Sequence, residues 1–220
     1  MQIEHRGARP RLGKDVYVAP NAVIAGDVEI GEGSAVLFGA VLTAEGGPIR
    51  IGRNCVVMEN AVLRGAPEAP LTLGDNVLVG PRAYLTGCAV GENAFLAAGS
   101  TVFNRARVGA RAEVRINAVV HLKTRLPADA TVPIGWVAVG DPAQILPPGE
   151  HEAIWKIQKP LDFPKTVFGV DRPPAREHPR AGLEDARTDR PPREGETIMP
   201  EVMRRYARAL RRHLQDKAIY

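Results

Sequence analysis

The sequence predicts an all-β fold with C-terminal helices: a left-handed parallel β-helix of hexapeptide repeats, wound as a triangular prism. Aliphatic residues recur every six positions from Val18 onward, and a small residue follows most of them four positions later. Aromatic residues make up only 5% of the chain. A six-residue period matches neither the alternation of a sandwich strand nor the helical period of about 3.6 residues, and it is typical of a β-helix.

The repeat supplies the core and the corners of the predicted prism. Its aliphatic positions are Val18, Ile24, Ile30, Val36, Leu42, Ile51, Val57, Leu63, Leu73, Val79, Leu85, Val90, Leu96, Val102, Val108, Val114, Val120, Leu126 and Val132. Each hexad forms one short strand and a turn, and three hexads close one coil. The stacked aliphatic side chains then fill a prism too narrow for aromatic rings. The left-handed coiling follows from the repeat class and departs from the usual right-handed crossover.

Small residues and glycines are expected at the turns. Alanine, serine, threonine or cysteine stands at the fourth offset, as in Ala22, Ser34 and Cys55, and lets the corners close. Glycine directly follows several aliphatic positions, as in Ile30-Gly31 and Ile51-Gly52. Because glycine adopts positive φ without a steric penalty, we expect these glycines to relieve the turn backbone.

The chain divides into four predicted segments. The β-helix domain covers 1–146, and a helix within 147–170 carries Ile154, Trp155 and Ile157 to pack on the prism. Residues 171–196 are rich in proline and charge and are expected to be a linker. Residues 197–220 are expected to form a basic amphipathic helix that docks on its own assembly or, alternatively, on an acidic protein, an anionic membrane or RNA.

Composition sets limits on location and partners. The formal net charge of +4 on 220 residues requires neither nucleic acid nor a membrane as partner. Residues 1–14 lack an apolar run, so we expect no signal peptide and a cytoplasmic protein. Cys55 and Cys88 lie inside the repeat and are expected to be packed thiols.

Three irregularities in the repeat indicate where function lies. Extra residues follow Leu42, in 43–50, and Leu63, in 64–71, while the hexad 85–89 is one residue short. Insertions into a solenoid project as loops from a rigid frame, and such loops commonly carry function.

From Gly26 to about Val120 the chain resembles γ-class carbonic anhydrases. The motifs that carry the resemblance are Gly26-Asp27-Val28, Ala40-Val41-Leu42, the run Gly47-Pro48-Ile49-Arg50-Ile51-Gly52 and the corner Thr86-Gly87-Cys88. The resemblance implies a homotrimeric left-handed β-helix with a C-terminal helix along the prism and an active site in the cleft between subunits. It also implies three zinc-binding histidines.

The chain departs from the family at all three of those positions. Arg64, Pro81 and Thr86 stand where the resemblance places histidines. A catalytic zinc needs about three protein ligands and an open position for water. Arginine is a permanent cation, proline has no side-chain donor atom, and a neutral threonine hydroxyl is a poor ligand. We therefore expect no metal cofactor at these positions and no cofactor of another kind.

The residues around the lost ligands suggest what replaces the metal. The candidate cleft contains charged, hydroxyl and apolar groups: Thr43, Glu45, Met58, Glu59, Arg64, Arg82, Tyr84 and Thr86. One hypothesis is a small anion, such as a carboxylate or phosphate, held by a guanidinium. The other is that Arg64 pairs with Glu45 or Glu59 across the trimer interface and has a structural role. A metal rebuilt on Glu45 and Glu59 is disfavoured because Arg64 would offset their charge.

The five histidines show no ligand spacing to one another. His5 lies in the N-terminal arm, His213 in the basic C-terminal segment, and His121 directly after a repeat position. His121 is most simply a solvated turn residue. It could instead be the general base of a hexapeptide acyltransferase that uses acyl-CoA, since the closing run Val139–Ala143 also resembles the last coil of those enzymes.

Three functions therefore remain at this point. The first is a carbonic-anhydrase-like homotrimer that has lost zinc-dependent CO₂ hydration and acts as an assembly or small-anion-binding protein. The second is a family enzyme with an unusual metal site, and the third is an acyltransferase.

Overall fold

A computed structural model of the chain describes residues 1–169, 202–204, 207–208, 213 and 215–219. Contacts divide the chain into one unit of Met1–Leu161 with His213–Tyr220 and a second unit of Asp162–Arg212. The first unit is a left-handed parallel β-helix, so the predicted fold class is confirmed. Its strands form three sheets that make the three faces of the prism.

Sheet 1 has ten strands and runs the full height of the prism. In spatial order they are β23 (Gln144–Leu146), β22 (Val137–Val139), β19 (Val119–Val120), β16 (Thr101–Val102), β13 (Tyr84–Thr86), β10 (Val62–Arg64), β7 (Val41–Thr43), β4 (Val23–Ala25), β1 (Gln2–Glu4) and β24 (Lys217–Ile219). Neighbouring strands are parallel except at the two ends. There β23 pairs with β22 and β24 pairs with β1 in antiparallel fashion.

Sheets 2 and 3 have seven parallel strands each. Sheet 2 contains β2 (Arg11–Leu12), β5 (Val28–Ile30), β8 (Ile49–Ile51), β11 (Leu71–Leu73), β14 (Ala89–Val90), β17 (Arg107–Val108) and β20 (Arg125–Leu126). Sheet 3 contains β3 (Tyr17–Val18), β6 (Ala35–Val36), β9 (Val56–Val57), β12 (Leu78–Val79), β15 (Phe95–Leu96), β18 (Glu113–Val114) and β21 (Thr131–Val132). Successive strands along the chain therefore belong to successive faces.

The register of the sheets confirms the six-residue count. In sheet 1, Leu42 pairs with Ile24 on one side and Leu63 on the other, and Leu63 pairs with Leu85. These four side chains have no exposed surface and belong to one continuous core. The insertions after Leu42 and Leu63 therefore leave the stacking intact, because each loop returns the chain to the next aliphatic position.

The corners use glycine for a different reason from the one predicted. Gly31 and Gly52 do not have positive φ; instead a Cβ on Gly31 would lie 2.6 Å from the carbonyl carbon of Gly52 in the next coil. Positive φ is carried by residues such as Asn54 and Asn76, at +53° and +57°. Asparagine tolerates this conformation better than most residues, and the side chain of Asn54 donates to that of Asn76 at 3.3 Å. The prediction for these glycines was therefore wrong: close backbone packing is what requires them.

The helix predicted after the coils is α1, His151–Gln158. Ile154 is buried, and Ile157 contacts the coil at Gly140, whereas Trp155 is 39% exposed. Trp155 is therefore covered only in part. A 3-10 turn, Lys159–Leu161, follows the helix.

In the second unit, Pro164–Phe168 forms a short helical turn, and 202–204 and 207–208 are helical. The predicted linker, 171–196, lies outside the described residues. The helix predicted to continue to residue 220 does not do so, because β24 is a strand. Within the described part of the chain, no helix is both long and apolar enough to cross a membrane.

Candidate functional site

Two of the three expected ligand positions, Arg64 and Thr86, fall on adjacent coils at the corner where sheet 1 meets sheet 2, whereas Pro81 lies at the other end of β13. Thr43, Arg64 and Thr86 end β7, β10 and β13, and Arg64 pairs in register with both of the others. Thr86 is buried, while Arg64 and Thr43 are half-buried. One edge of the prism thus carries a hydroxyl, a guanidinium and a second hydroxyl in a row.

An ion pair forms at this corner. A terminal nitrogen of Arg64 donates a short hydrogen bond to a carboxylate oxygen of Glu45, which lies in the loop after β7. The two side chains are 27% and 16% exposed, so the pair is screened less than an ordinary surface salt bridge. Arg64 therefore pairs with Glu45 within one chain, whereas the pairing across a trimer interface stays a prediction.

The remaining candidate residues lie elsewhere on the same coils. Met58 and Glu59 occupy the turn after β9, and Pro81 and Arg82 the turn after β12, where sheet 3 meets sheet 1. The Arg82 amide donates to the Glu59 carbonyl at 2.9 Å, which stacks the two turns. Tyr84 lies on the outer row of β13, opposite Val62 and Thr101. Within a single chain, the candidate site residues thus lie at two corners, one at each end of β13.

Two histidines from opposite ends of the sequence, His5 and His213, lie beside this ion pair. His5 and His213 stack with ring centroids 4.6 Å apart and 26° between their planes. Asp216 accepts from both rings, at 2.5 Å from Nδ1 of His5 and 2.7 Å from Nδ1 of His213. Nε2 of His213 lies 3.8 Å from a carboxylate oxygen of Glu45. We call His5, His213 and Asp216 the histidine cluster.

The charges within the cluster stabilise its carboxylate. Burial by itself would raise the pKa of Asp216, but the hydrogen bonds and charges of His213 and His5 outweigh burial and lower that pKa. His5 is 2% exposed, and its Nε2 has no hydrogen-bond partner within the described residues. A buried ring nitrogen without a partner is uncommon, since buried polar atoms are nearly always hydrogen-bonded.

The histidine cluster could not be found from sequence periodicity. His5 and Asp216 are separated by 211 positions and meet because β24 pairs with β1. The only sequence signal is the spacing of His213 and Asp216, which resembles that of many solvent-exposed pairs. The lack of ligand spacing among the histidines in the sequence therefore did not exclude a contact between His5 and His213 in space.

The two cysteines behave as the sequence suggested. Both cysteines are free and buried, and burial raises the pKa of Cys88 to about 12. A thiol with that pKa is not a nucleophile near neutral pH. His121, predicted to be a solvated turn residue, is instead half-buried beside Phe103, with ring centroids 5.6 Å apart. Burial lowers its pKa, which favours the neutral ring.

Family comparisons agree with the repeat. A model of the bacterial transferase hexapeptide (six repeats) matches residues 9–44, and a model of the hexapeptide repeat of succinyl-transferase matches 70–104. Among solved structures, a Bacillus cereus protein assigned as an acetyltransferase superposes with a TM-score of 0.58 at 25% identity. The superposed region covers 71% of this chain and 90% of the Bacillus cereus chain.

Curated relatives add a narrower resemblance. Gamma carbonic anhydrase 2, mitochondrial, of Arabidopsis thaliana is 34% identical over 143 residues, which is 62% of this chain and 49% of the relative. A carbonic anhydrase of Geobacillus kaustophilus is 31% identical over 105 residues, or 48% of this chain and 58% of the relative. The chain spans about half the length of these relatives. Repeat, register and relatives agree: the chain is a γ-carbonic-anhydrase-like member of the hexapeptide-repeat family.

Proposed function

We propose that the protein is a homotrimeric assembly protein that has lost the zinc-dependent CO₂ hydration for which its relatives are named. The observation that carries the proposal is the corner formed by Thr43, Arg64 and Thr86, where Arg64 is paired with Glu45. The proposal rests on the chemistry of these side chains and on the register that aligns them.

Neither the charge nor the donor atoms of the side chains at this corner suit a bound zinc ion. Arg64 brings a positive charge to the place where a dication would sit, and a neutral threonine hydroxyl binds zinc weakly. Glu45 accepts from Arg64 through one of its two carboxylate oxygens. The same pairing disfavours a small anion as ligand, because an anion would have to displace Glu45 from the guanidinium. A structural role for the ion pair is thus better supported than ligand binding.

The outer faces of the prism favour self-assembly. The outer rows of sheets 1 and 3 are mostly apolar: Val23, Val41, Val62, Tyr84, Thr101, Val119 and Val137 in sheet 1, and Tyr17, Ala35, Val56, Leu78, Phe95, Glu113 and Thr131 in sheet 3. The outer row of sheet 2 is mostly charged: Arg11, Glu29, Arg50, Thr72, Ala89, Arg107 and Arg125. Two apolar faces and one charged face suit a closed ring in which each subunit packs one face against a different face of its neighbour.

The trimer can be tested on matched strand positions. Phe95 is 38% exposed on the outer row of sheet 3, and Phe95→Asp is expected to dissociate the trimer because it would bury an unpaired carboxylate. Arg107→Asp, on the charged face, should leave the assembly intact. Sedimentation velocity measures both. A monomeric wild-type protein, or two variants that behave alike, would rule out this interface.

The proposed loss of CO₂ hydration activity can be tested by kinetics. In stopped-flow measurements with excess zinc, the wild-type protein should hydrate CO₂ no faster than the buffer does. The control carries R64H, P81H and T86H together. It restores three imidazoles and should bind more zinc than the wild type. Zinc-dependent hydration by the wild type well above background would contradict the proposal.

An acyltransferase is the second candidate, and one pocket favours it. Arg107 and Arg125 line a depression of about 330 Å³ beside Leu126 and Pro142 on the last coils. Two guanidiniums next to an apolar wall suit a phosphate-bearing ligand such as acyl-CoA. The half-buried His121 is the residue that would serve as base. Thermal stabilisation of the wild type by acetyl-CoA, abolished in R107A, would favour this candidate over the assembly role.

Location in the cytoplasm remains a prediction from the first fourteen residues. The Arabidopsis relatives are named as mitochondrial. Fractionation of the source cells decides between the two compartments.

A further inference from the structure

We propose that the histidine cluster, together with Glu45, binds one divalent transition-metal ion such as Zn²⁺. This site uses His5 and His213, which lie outside the corner positions of Arg64, Pro81 and Thr86. It does not depend on the proposed assembly function, and it predicts no hydration of CO₂.

The cluster is compact enough for a single ion. One donor atom from each of His5, His213 and Asp216 lies within 4.8 Å of the other two. Zinc holds nitrogen and oxygen ligands at about 2.0–2.2 Å, and the two rings, which stack at 26°, must turn toward each other for both to bind one ion. The strand pairing of β24 with β1 fixes the chain on both sides of the cluster.

Asp216 sets which ring nitrogens are available to the ion. Its two carboxylate oxygens accept from Nδ1 of His5 and Nδ1 of His213. Both Nε2 atoms consequently lie on the sides of the stacked rings away from this carboxylate. A histidine that binds a metal through one nitrogen usually donates its other N–H to a carboxylate, and Asp216 supplies that partner to both rings.

The buried Nε2 of His5 is the strongest single indication. When the His5 ring is neutral and its Nδ1–H donates to Asp216, Nε2 carries a lone pair, and no donor in the described residues reaches it. Leaving a buried acceptor unpaired destabilises the folded state, whereas a metal ion would satisfy it. Nε2 of His213 faces Glu45 at 3.8 Å, so that carboxylate can provide a third ligand. Two imidazoles and a glutamate form a donor set known for zinc.

The local charge also favours a cation. Glu45 and Asp216 contribute two carboxylates, and Arg64 offsets one of them through its pair with Glu45. One carboxylate charge is thus left without a fixed cation, and a bound metal ion would offset it. Arg64 leaves one oxygen of Glu45 facing His213, because it contacts the other oxygen.

The test is a metal titration of the full chain. After chelation and desalting, Zn²⁺ affinity is measured by competition with a chromophoric chelator, and Co²⁺ binding is followed by its visible absorption. We expect one ion per chain. H5Q and H213Q should weaken binding by at least about 100-fold, and D216N, which changes a positioning residue, by about 10–100-fold. H151Q is the control, since His151 is exposed at the start of α1 and should not matter.

A spectroscopic measurement on the wild type covers the case in which a variant fails to fold. X-ray absorption of the zinc-loaded protein should show scattering from two imidazoles. Absence of bound ion in the wild type, or affinity unchanged in H5Q and H213Q, would overturn the proposal. Spectra without imidazole scattering would also overturn it. Zinc binding without CO₂ hydration leaves the proposed function intact, so the two tests can fail separately.

Discussion

Gly65→Ala is expected to destabilise the protein by about 3 kcal/mol or more. Gly65 follows Arg64 at the corner, where a Cβ would lie 1.8 Å from the carbonyl oxygen of Gly47. The obstructing atom is backbone, so no side-chain rotation can relieve the clash, and the coils must separate. Because the loop carrying Glu45 ends against this contact, the ion pair of Arg64 should weaken as well.

The matched control for this substitution is Gly149→Ala. Nothing lies within 4 Å of a Cβ there, and Gly149 lacks positive φ, so alanine should be neutral or slightly stabilising. Denaturant unfolding at one fixed protein concentration compares the two, since assembly makes apparent stability depend on concentration. Equal unfolding midpoints for the two variants would mean that the coils do not approach as closely as described.

Leu85→Ala is expected to cost about 2–5 kcal/mol of unfolding free energy. Leu85 has no exposed surface and stacks between Leu63 and Val102 in the core of sheet 1. Strands of adjacent coils are tied together by hydrogen bonds above and below, so the prism cannot collapse to fill the space. The cavity should therefore persist, and persistent cavities give the larger costs in such substitutions.

Ile134→Ala provides the comparison for the core substitution. Ile134 is also a large aliphatic residue, but it is 65% exposed, and its truncation should change stability by no more than about 0.5 kcal/mol. Chemical unfolding followed by circular dichroism measures both variants. A similar cost at the two positions would argue against the stacked core.

Much of the fold follows from the sequence because a β-helix repeats one local rule. The positions of Leu42, Leu63 and Leu85 determine the register of sheet 1, and that register places Arg64 beside Thr86. Any residue at a known offset from a stacked aliphatic residue can be assigned to a face or a corner in the same way. Hence the corner residues of the candidate site could be predicted.

The other features of the fold and of the site depend on contacts that the six-residue period does not predict. His5 meets Asp216 only because the chain end returns to the first coil, and no offset within a hexad indicates that return. Gly31 was assigned to positive φ, because sequence shows a glycine but does not distinguish a turn conformation from lack of space. Trp155 was expected to pack because it is apolar, yet helix orientation leaves it partly exposed.

The return of the chain end to the first coil also affects how the molecules stack on one another. A solenoid whose terminal rungs were left bare could add another copy head to tail and grow into a filament. Here β24 and β23 close the two ends of sheet 1 with strands of reversed direction, each three residues long. These short antiparallel edge strands are a poor template for a further coil, and β24 also carries the exposed cation of Lys217. Both features discourage polymerisation.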